Sequence, residues 1–316
     1  MSEPKEKPFL RARRPEIKPH LEHVKGNTWC IVTGYARIPL YKLDEHRVIM
    51  IDSGLPQSWD ELLALLEREQ LQVEAVLTSH AHPDHVGNHK NLREHFGADI
   101  YMSRFSAAIY DNAMNQSAIS IGITGYRKYS KTLGRTFDAD VIFDWDIKTI
   151  EVEDATFIIE QLPGHAAEHI GIVTPDNVAY LGDTVLDESM VRNIRLPFCT
   201  CLEPDLESLE GIAQMQYDKY ILAHNGVYDS IREVALLNRD NLLKKADMIA
   251  DLFDDYMTMD AAVKKLLLAT GGDIDNKRTV SGTRYNMSIF ITYLEDTDRL
   301  ICRARDGALE YIRNQI

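Results

Sequence analysis

Thr78-Ser79-His80-Ala81-His82-Pro83-Asp84-His85-Val86-Gly87 places three imidazoles and one carboxylate within six consecutive positions, His80 to His85. The cluster closes an apolar run from Val73 that the pattern predicts as a strand through Ser79. Four such groups at one strand end are costly to bury without compensation, and His and Asp are ligand types that hold Zn²⁺, Fe or Mn. Alternate residues of an extended segment face one side, so His80 and His82 can grip one ion together. Asp84 and His85, past the turn, point elsewhere, and the simplest arrangement is two metals side by side. The competing reading, a polar loop with scattered histidines, is the weaker one at this density.

A pair of ions held only by this segment still lacks ligands, so further donors are expected at other strand ends. Leu162-Pro163-Gly164-His165 follows the apolar run Thr156 to Ile159 and offers His165. Tyr180-Leu181-Gly182-Asp183-Thr184 offers Asp183, whose two oxygens can bridge both ions, and Ile221-Leu222-Ala223-His224-Asn225-Gly226 offers His224. Each alone reads as an ordinary turn former or satisfied polar residue. Their order and context together carry the weight.

These segments, H-A-H-P-D-H at 80–85, P-G-H at 163–165, L-G-D-T at 181–184 and A-H-N-G at 223–226, resemble the metallo-β-lactamase superfamily over residues 28 to about 230. Ile51-Asp52-Ser53-Gly54 is similar to the Asp-containing turn that the family places beneath its metals. The resemblance implies metal one on His80, His82 and His165, metal two on Asp84, His85 and His224, and Asp183 bridging. Asp52 would orient a ligand through a hydrogen bond; a turn residue capping a strand end is an equal alternative. The implied fold is α/β, an αββα sandwich of two sheets between helices with the metals at one edge. Ala166-Ala167-Glu168-His169 departs from the family pattern, because Glu168 stands where many of its hydrolases carry glycine. That leaves loop shape and pocket charge open, while His169 reads as a structural or supporting residue.

With 316 residues, 36.0 kDa and 45% hydrophobic residues, the chain suffices for one large core plus an appended module. No apolar run is long enough to cross a bilayer. Met1 to Arg14 is charged and lacks the apolar stretch of a secretion signal, so residues 1–22 are expected as a flexible lead-in. Cys30, Cys199, Cys201 and Cys302 show no paired framework, which points to the cytoplasm. Cys199-Thr200-Cys201 is one residue shorter than a zinc knuckle and reads as free thiols. A net charge of −14 repels polyanions. The expected partner is a small-molecule substrate, with nucleic acid secondary, no membrane, and a homodimer left open.

Strands are expected at Trp29–Thr33, Val48–Asp52 and Val73–Ser79, and helices at Trp59–Gln70 and His85–Phe96. They belong to a catalytic domain over 23–229. Within it, an insert at about 105–138, including Ile119 to Tyr126, reads either as a lid over the metals or as a pair of helices packed outside. Residues 230–316 turn helical. Leu242, Leu243, Ala246, Ile249, Phe253 and Met257 recur at helical spacing, Thr258 can cap a helix through Leu268, and Met287 to Leu294 fits a third. Strands then flank Asp306-Gly307, a favoured hairpin turn. This is a winged-helix-like outline. Its third helix is poor in Lys and Arg, so a role in covering the site or in dimer contacts is favoured, with Arg303 and Arg305 keeping a weak nucleic-acid role open.

The function implied is that of a dinuclear hydrolase of the glyoxalase II-like or lactonase-like branch. It would hold two divalent ions, zinc first with iron or manganese as alternatives, and hydroxide between them would attack an ester, thioester or lactone carbonyl. Asp84 and Asp183 are the expected catalytic residues, Asp84 doubling as proton shuttle to the leaving group. No G-x-S-x-G elbow or Cys/His pairing suggests covalent catalysis. The alternatives are a single-strand-specific endoribonuclease and a mono-iron sulfur dioxygenase-like or purely binding member. Retention of Asp84, Asp183 and His224 speaks against a lone-metal site.

Overall fold

The computed structural model describes residues 17–119 and 135–315. Residues 1–16 of the expected lead-in and residues 120–134 of the insert lie outside them. Sheet one contains β1 (His20–Lys25), β2 (Thr28–Val32), β3 (Arg37–Lys42), β4 (Arg47–Ile51), β5 (Gln72–Leu77), β6 (Asp99–Ser103) and β7 (Val141–Phe143), side by side in that order. It is antiparallel as far as β4 and parallel from there to β7. Sheet two contains β8 (Thr149–Val152), β9 (Ala155–Gln161), β10 (Ile170–Val173), β11 (Val178–Tyr180), β12 (Lys219–Ile221) and β13 (Val227–Tyr228), again in chain order, with only the β11–β12 pair parallel.

The two sheets face each other across one apolar layer, in which Ile49, Ile51 and Leu77 meet Phe157, Ile172, Tyr180 and Ile221. Burial on both faces explains the nearly continuous apolar runs of β4 and β5. Helix α1 (Trp59–Arg68) turns Leu62, Leu65 and Leu66 onto Val48, Met50 and Val73 on the outer face of sheet one. That is the helical spacing seen in the sequence. The αββα layering follows.

Four boundaries differ from expectation. Strand β1 begins inside the stretch expected as lead-in, since His20 to Lys25 pairs with β2. The helix expected over 85–96 is broken into α2 (Pro83–Val86) and α3 (His89–Phe96). Gly87 is itself helical (φ −59°, ψ −26°) at a place where a Cβ would lie 2.5 Å from Gly54 O and Pro56, and the break falls at Asn88 (φ −116°, ψ 9°), whose side chain donates to Ser53 O and Leu55 O at 2.8 Å. Strand β5 stops at Leu77, leaving His80 and His82 on the following loop. The first tail helix ends at Ala250 rather than Met257: Leu252 N and Phe253 N donate to Ile249 O and Ala250 O, tightening the last turn, and Met257 pairs with Tyr311.

The insert region supplies α4 (Arg104–Tyr110) and α5 (Ala113–Ile119). After β11 come α6 (Glu188–Asn193) and α7 (Leu202–Ile212), then the tail helices α8 (Arg232–Ala250), α9 (Met259–Ala269) and α10 (Lys277–Asp296). Thr258 caps α9 through the Ala261 N–H at 3.3 Å. β14 (Met257–Thr258), β15 (Leu300–Arg305) and β16 (Ala308–Arg313) form a small antiparallel sheet, ordered β14-β16-β15. The tail is not separately cored, because Leu242, Phe253, Leu266 and Phe290 share one cluster with Leu181, Leu196 and Leu209. No helix among the described residues is long and apolar enough to cross a membrane.

Candidate metal centre

The seven donors named from the sequence all lie at carboxyl ends of strands, on the edge where the sheets meet. His80, His82, Asp84 and His85 follow β5; His165 follows β9; Asp183 follows β11; His224 follows β12. Two backbone bonds tie these ends across the sandwich, Ile170 N to Ser79 O at 3.1 Å and Arg37 N to Ala223 O at 2.8 Å.

The donors fall into two sets that share Asp183. His80, His82, His165 and Asp183 form one, and Asp84, His85, Asp183 and His224 the other, with the ligand atoms of each within 4.8 Å of one another. His82 Nδ1 lies 2.9 Å from both His80 Nε2 and His165 Nε2. Asp183 Oδ2 lies 3.6 Å from His165 Nε2, while its Oδ1 lies 3.4 Å from both His85 Nε2 and His224 Nε2. Asp84 Oδ2 is 3.7 Å from His224 Nε2.

The residues fit divalent cations on three counts. His85 Nε2 and Asp183 Oδ1 are buried and have no hydrogen-bond partner, although groups of this kind are rarely left bare. The donor chemistry, imidazole nitrogen plus carboxylate oxygen, suits zinc, iron or manganese. The far nitrogens of three histidines are held so that the near ones present lone pairs. Ser79 Oγ donates to Asp52 at 2.6 Å and therefore accepts from His80 Nδ1 at 3.0 Å. His85 Nδ1 donates to Asp52 and His224 Nδ1 to Tyr35 O at 3.1 Å. Such partners fix both tautomer and ring orientation.

Electrostatics prepare the two sets differently. Burial holds His80 well below the usual imidazole range, lowers His82 to about 3 and His165 to about 4, helped by neighbouring histidines, so all three are neutral and able to ligate. At His85 burial opposes charge, yet Asp183 and Asp52 overcome it and hold the ring well above that range. The field that keeps a proton there equally favours a cation.

Asp52 serves both expected roles. Its backbone stands at φ 63°, a turn position, and its buried carboxylate accepts from Ser79 N, Ser79 Oγ, Tyr180 OH and His85 Nδ1. Glu168 does not simply add charge to a pocket: its Oε2 accepts the Phe105 N–H at 3.0 Å and ties the His165 loop to the start of α4. His169, in neither donor set, is fully buried, and its Nε2 accepts the Asp183 N–H at 3.2 Å. Beneath His165, Asp205 is buried with Oδ1 unpartnered, and burial pushes its carboxyl up to about 8. The four cysteines are unpaired. Cys199 is buried, and burial raises its thiol far above the usual range.

Sequence reasoning missed the aromatic surround. Tyr35 OH donates to Asp84 Oδ2 at 3.2 Å, Tyr180 reaches Asp52 from the core, and Phe198 stands edge-on to His82 and His165 at 5.4 and 5.5 Å. Of these only Tyr180 carried a usable signal, three residues before Asp183 at a strand end.

A family model described as the metallo-beta-lactamase superfamily matches residues 40–244. The chain is 27% identical over 150 residues to a hydroxyacylglutathione hydrolase of Haemophilus influenzae, covering 47% of this chain and 66% of that one. It is 28% identical over 141 residues to an atrochrysone carboxyl ACP thioesterase of Aspergillus chevalieri, covering 44% and 36%. The chain thus spans less than two thirds of the length of either relative. Its fold is similar to that of a beta-lactamase domain protein from Burkholderia ambifaria, with a TM-score of 0.66, 16% identity and 93% of each chain covered.

Proposed function

The chain belongs to the metallo-beta-lactamase superfamily, and on that footing we propose that it is a dinuclear metal-dependent hydrolase that cleaves an ester, thioester or lactone of a small molecule. One observation carries the reading. Two four-donor sets share Asp183, and buried donor atoms of that residue and of His85 face each other without partners. His80, His82 and His165 would hold one ion, Asp84, His85 and His224 the other. The chemistry such ions supply when bound is Lewis acidity, which acidifies water and polarises a carbonyl oxygen.

The chain's own residues supply orientation and proton handling. Asp52, Ser79 and the Tyr35 carbonyl keep three imidazoles in one tautomer. Asp84, to which Tyr35 OH donates, would pass a proton to a leaving group. The hydroxyacylglutathione hydrolase and the thioesterase among the relatives support an acyl substrate.

The endoribonuclease reading draws on the three-helix tail and its hairpin. Against it, Arg303 is bound by Glu310 at 2.7 Å and lies 3.4 Å over the Tyr256 ring, and Arg305 pairs with Asp306. A panel of p-nitrophenyl esters, S-acyl glutathiones, homoserine lactones and a short labelled RNA, run with and without chelator, tests the proposal. Chelator-sensitive acyl hydrolysis is expected. Cleavage of RNA alone would reverse the reading, and so would His82→Ala protein that keeps full activity.

A further inference from the structure

Two cavities flank the donor sets, and their characters differ. One, of about 590 Å³, touches His80 and His82 but none of Asp84, His85 or His224. Most of its wall is apolar, with Val86, Ile109, Tyr110 and Phe137 as buried members of a single cluster, while Lys90, Asn91, Gln116 and Arg135 bring polar groups to the remainder. Phe198 completes that wall, stacked on Tyr285 at 5.7 Å with 10° between the rings. The other is an open basin beside Tyr35 in which Asp187, Glu188 and Asn225 present polar groups.

Asp84 lies on the Tyr35 side, and this fixes a direction. A carbonyl held between the donor sets with its leaving group toward Asp84 would direct its acyl chain past His80 and His82 into this cavity, which touches those two histidines and not Asp84. We propose, resting on the hydrolase reading above, that this cavity is an acyl pocket and that the substrate is an ester or thioester of an apolar, medium-length carboxylic acid. The volume is of the size that encloses a small organic ligand, and its buried apolar side rewards an added methylene more than an added hydroxyl.

The tail takes part in this selection. Tyr285 lies on α10, and the neighbouring Asn286 donates to Leu196 O at 2.9 Å while Arg195 donates to Thr270 Oγ1 at 2.8 Å. Helix α10 therefore both contributes a wall residue and fastens the loop that carries Phe198. Tyr285 is a specificity residue in this assignment.

Two measurements test it. The first is calorimetric binding of acetate, butyrate, hexanoate and octanoate to chelator-treated protein. Affinity is expected to rise roughly fourfold per added methylene until the cavity is full. The second is kcat/KM of the metal-loaded enzyme for the matching N-acetylcysteamine thioesters, with the same trend expected. Ile109→Trp, which fills the cavity, should cut the octanoyl-to-acetyl ratio at least tenfold, and Tyr285→Ala, which removes wall, should move the optimum to longer chains. Melting curves check that both variants fold. Turnover with a flat or falling chain-length profile would overturn the acyl pocket and leave the hydrolase reading standing. No turnover of any ester, thioester or lactone would sink that reading and this assignment with it.

Discussion

His85 Nδ1 and Asp52 Oδ2 lie 2.7 Å apart, and both side chains are almost wholly shut off from water. The same oxygen takes two more hydrogen bonds, from Ser79 and Tyr180, so one carboxylate aims a metal-facing imidazole from inside the core. Asp52→Ala removes that aim and leaves a tyrosine hydroxyl without its acceptor. The expected result is a 10- to 100-fold loss of metal affinity at the Asp84–His85–His224 set, read by competition with a chromophoric chelator. An unchanged affinity would mean the contact is only structural.

Gly182 stands at φ 52°, and a Cβ there would come 2.5 Å from His169 Nε2, the atom that accepts the Asp183 N–H. Gly182→Ala is therefore expected to displace His169 and turn Asp183 away from both donor sets. Metal analysis should find fewer than two ions per chain, and the melting temperature should fall, since a strained left-handed alanine costs on the order of 1 kcal/mol.

Glu168 and Ser103 share the start of α4, accepting from Phe105 N and Ser106 N. Loss of such a cap costs about 1 kcal/mol. Glu168→Ala should accordingly speed hydrogen exchange at the first amides of α4 while leaving those of β5 unchanged. Equal protection in the two proteins would show that the carboxylate does not hold the helix.

Asp205 gives a pH signature. Burial raises its carboxyl to about 8, against an ordinary value near 3.9. Between those limits the folded chain keeps a proton that the unfolded chain has released, so stability attributable to this group is full at low pH and is lost as pH rises toward 8. The slope approaches about 1.4 kcal/mol per pH unit. Asp205→Asn should abolish that decline, so that in the presence of chelator the variant gains on the parent as pH rises. Parallel stability curves from pH 4 to 8 would refute this.

The donors could be read from the sequence because their chemistry is carried by residue type and their positions by strand ends; His80 through His85 needed only the apolar run before them. Long-range contacts were harder. The partner of Glu168 is a backbone N–H 63 positions away, which no local pattern marks. The break at Asn88 goes with side-chain bonds to Ser53 and Leu55, 35 and 33 positions away, so helical periodicity ran straight through it. Phe253 and Met257 kept helical spacing beyond Ala250, although only the side chain of Phe253 stays fully inward after the backbone has unwound. Tyr285 and Phe198, 87 residues apart, meet only because the tail shares a core with the second sheet.

Four of the seven donors follow β5 of one sheet, and three follow strands of the other. An ion in either set would rivet the two halves of the sandwich together, so heat tolerance should track free metal, with each tenfold rise above saturation adding about 1.4 kcal/mol per site. A chelator would then act as a mild denaturant of the whole molecule, and starvation for the ion would be felt as fragility as well as idleness.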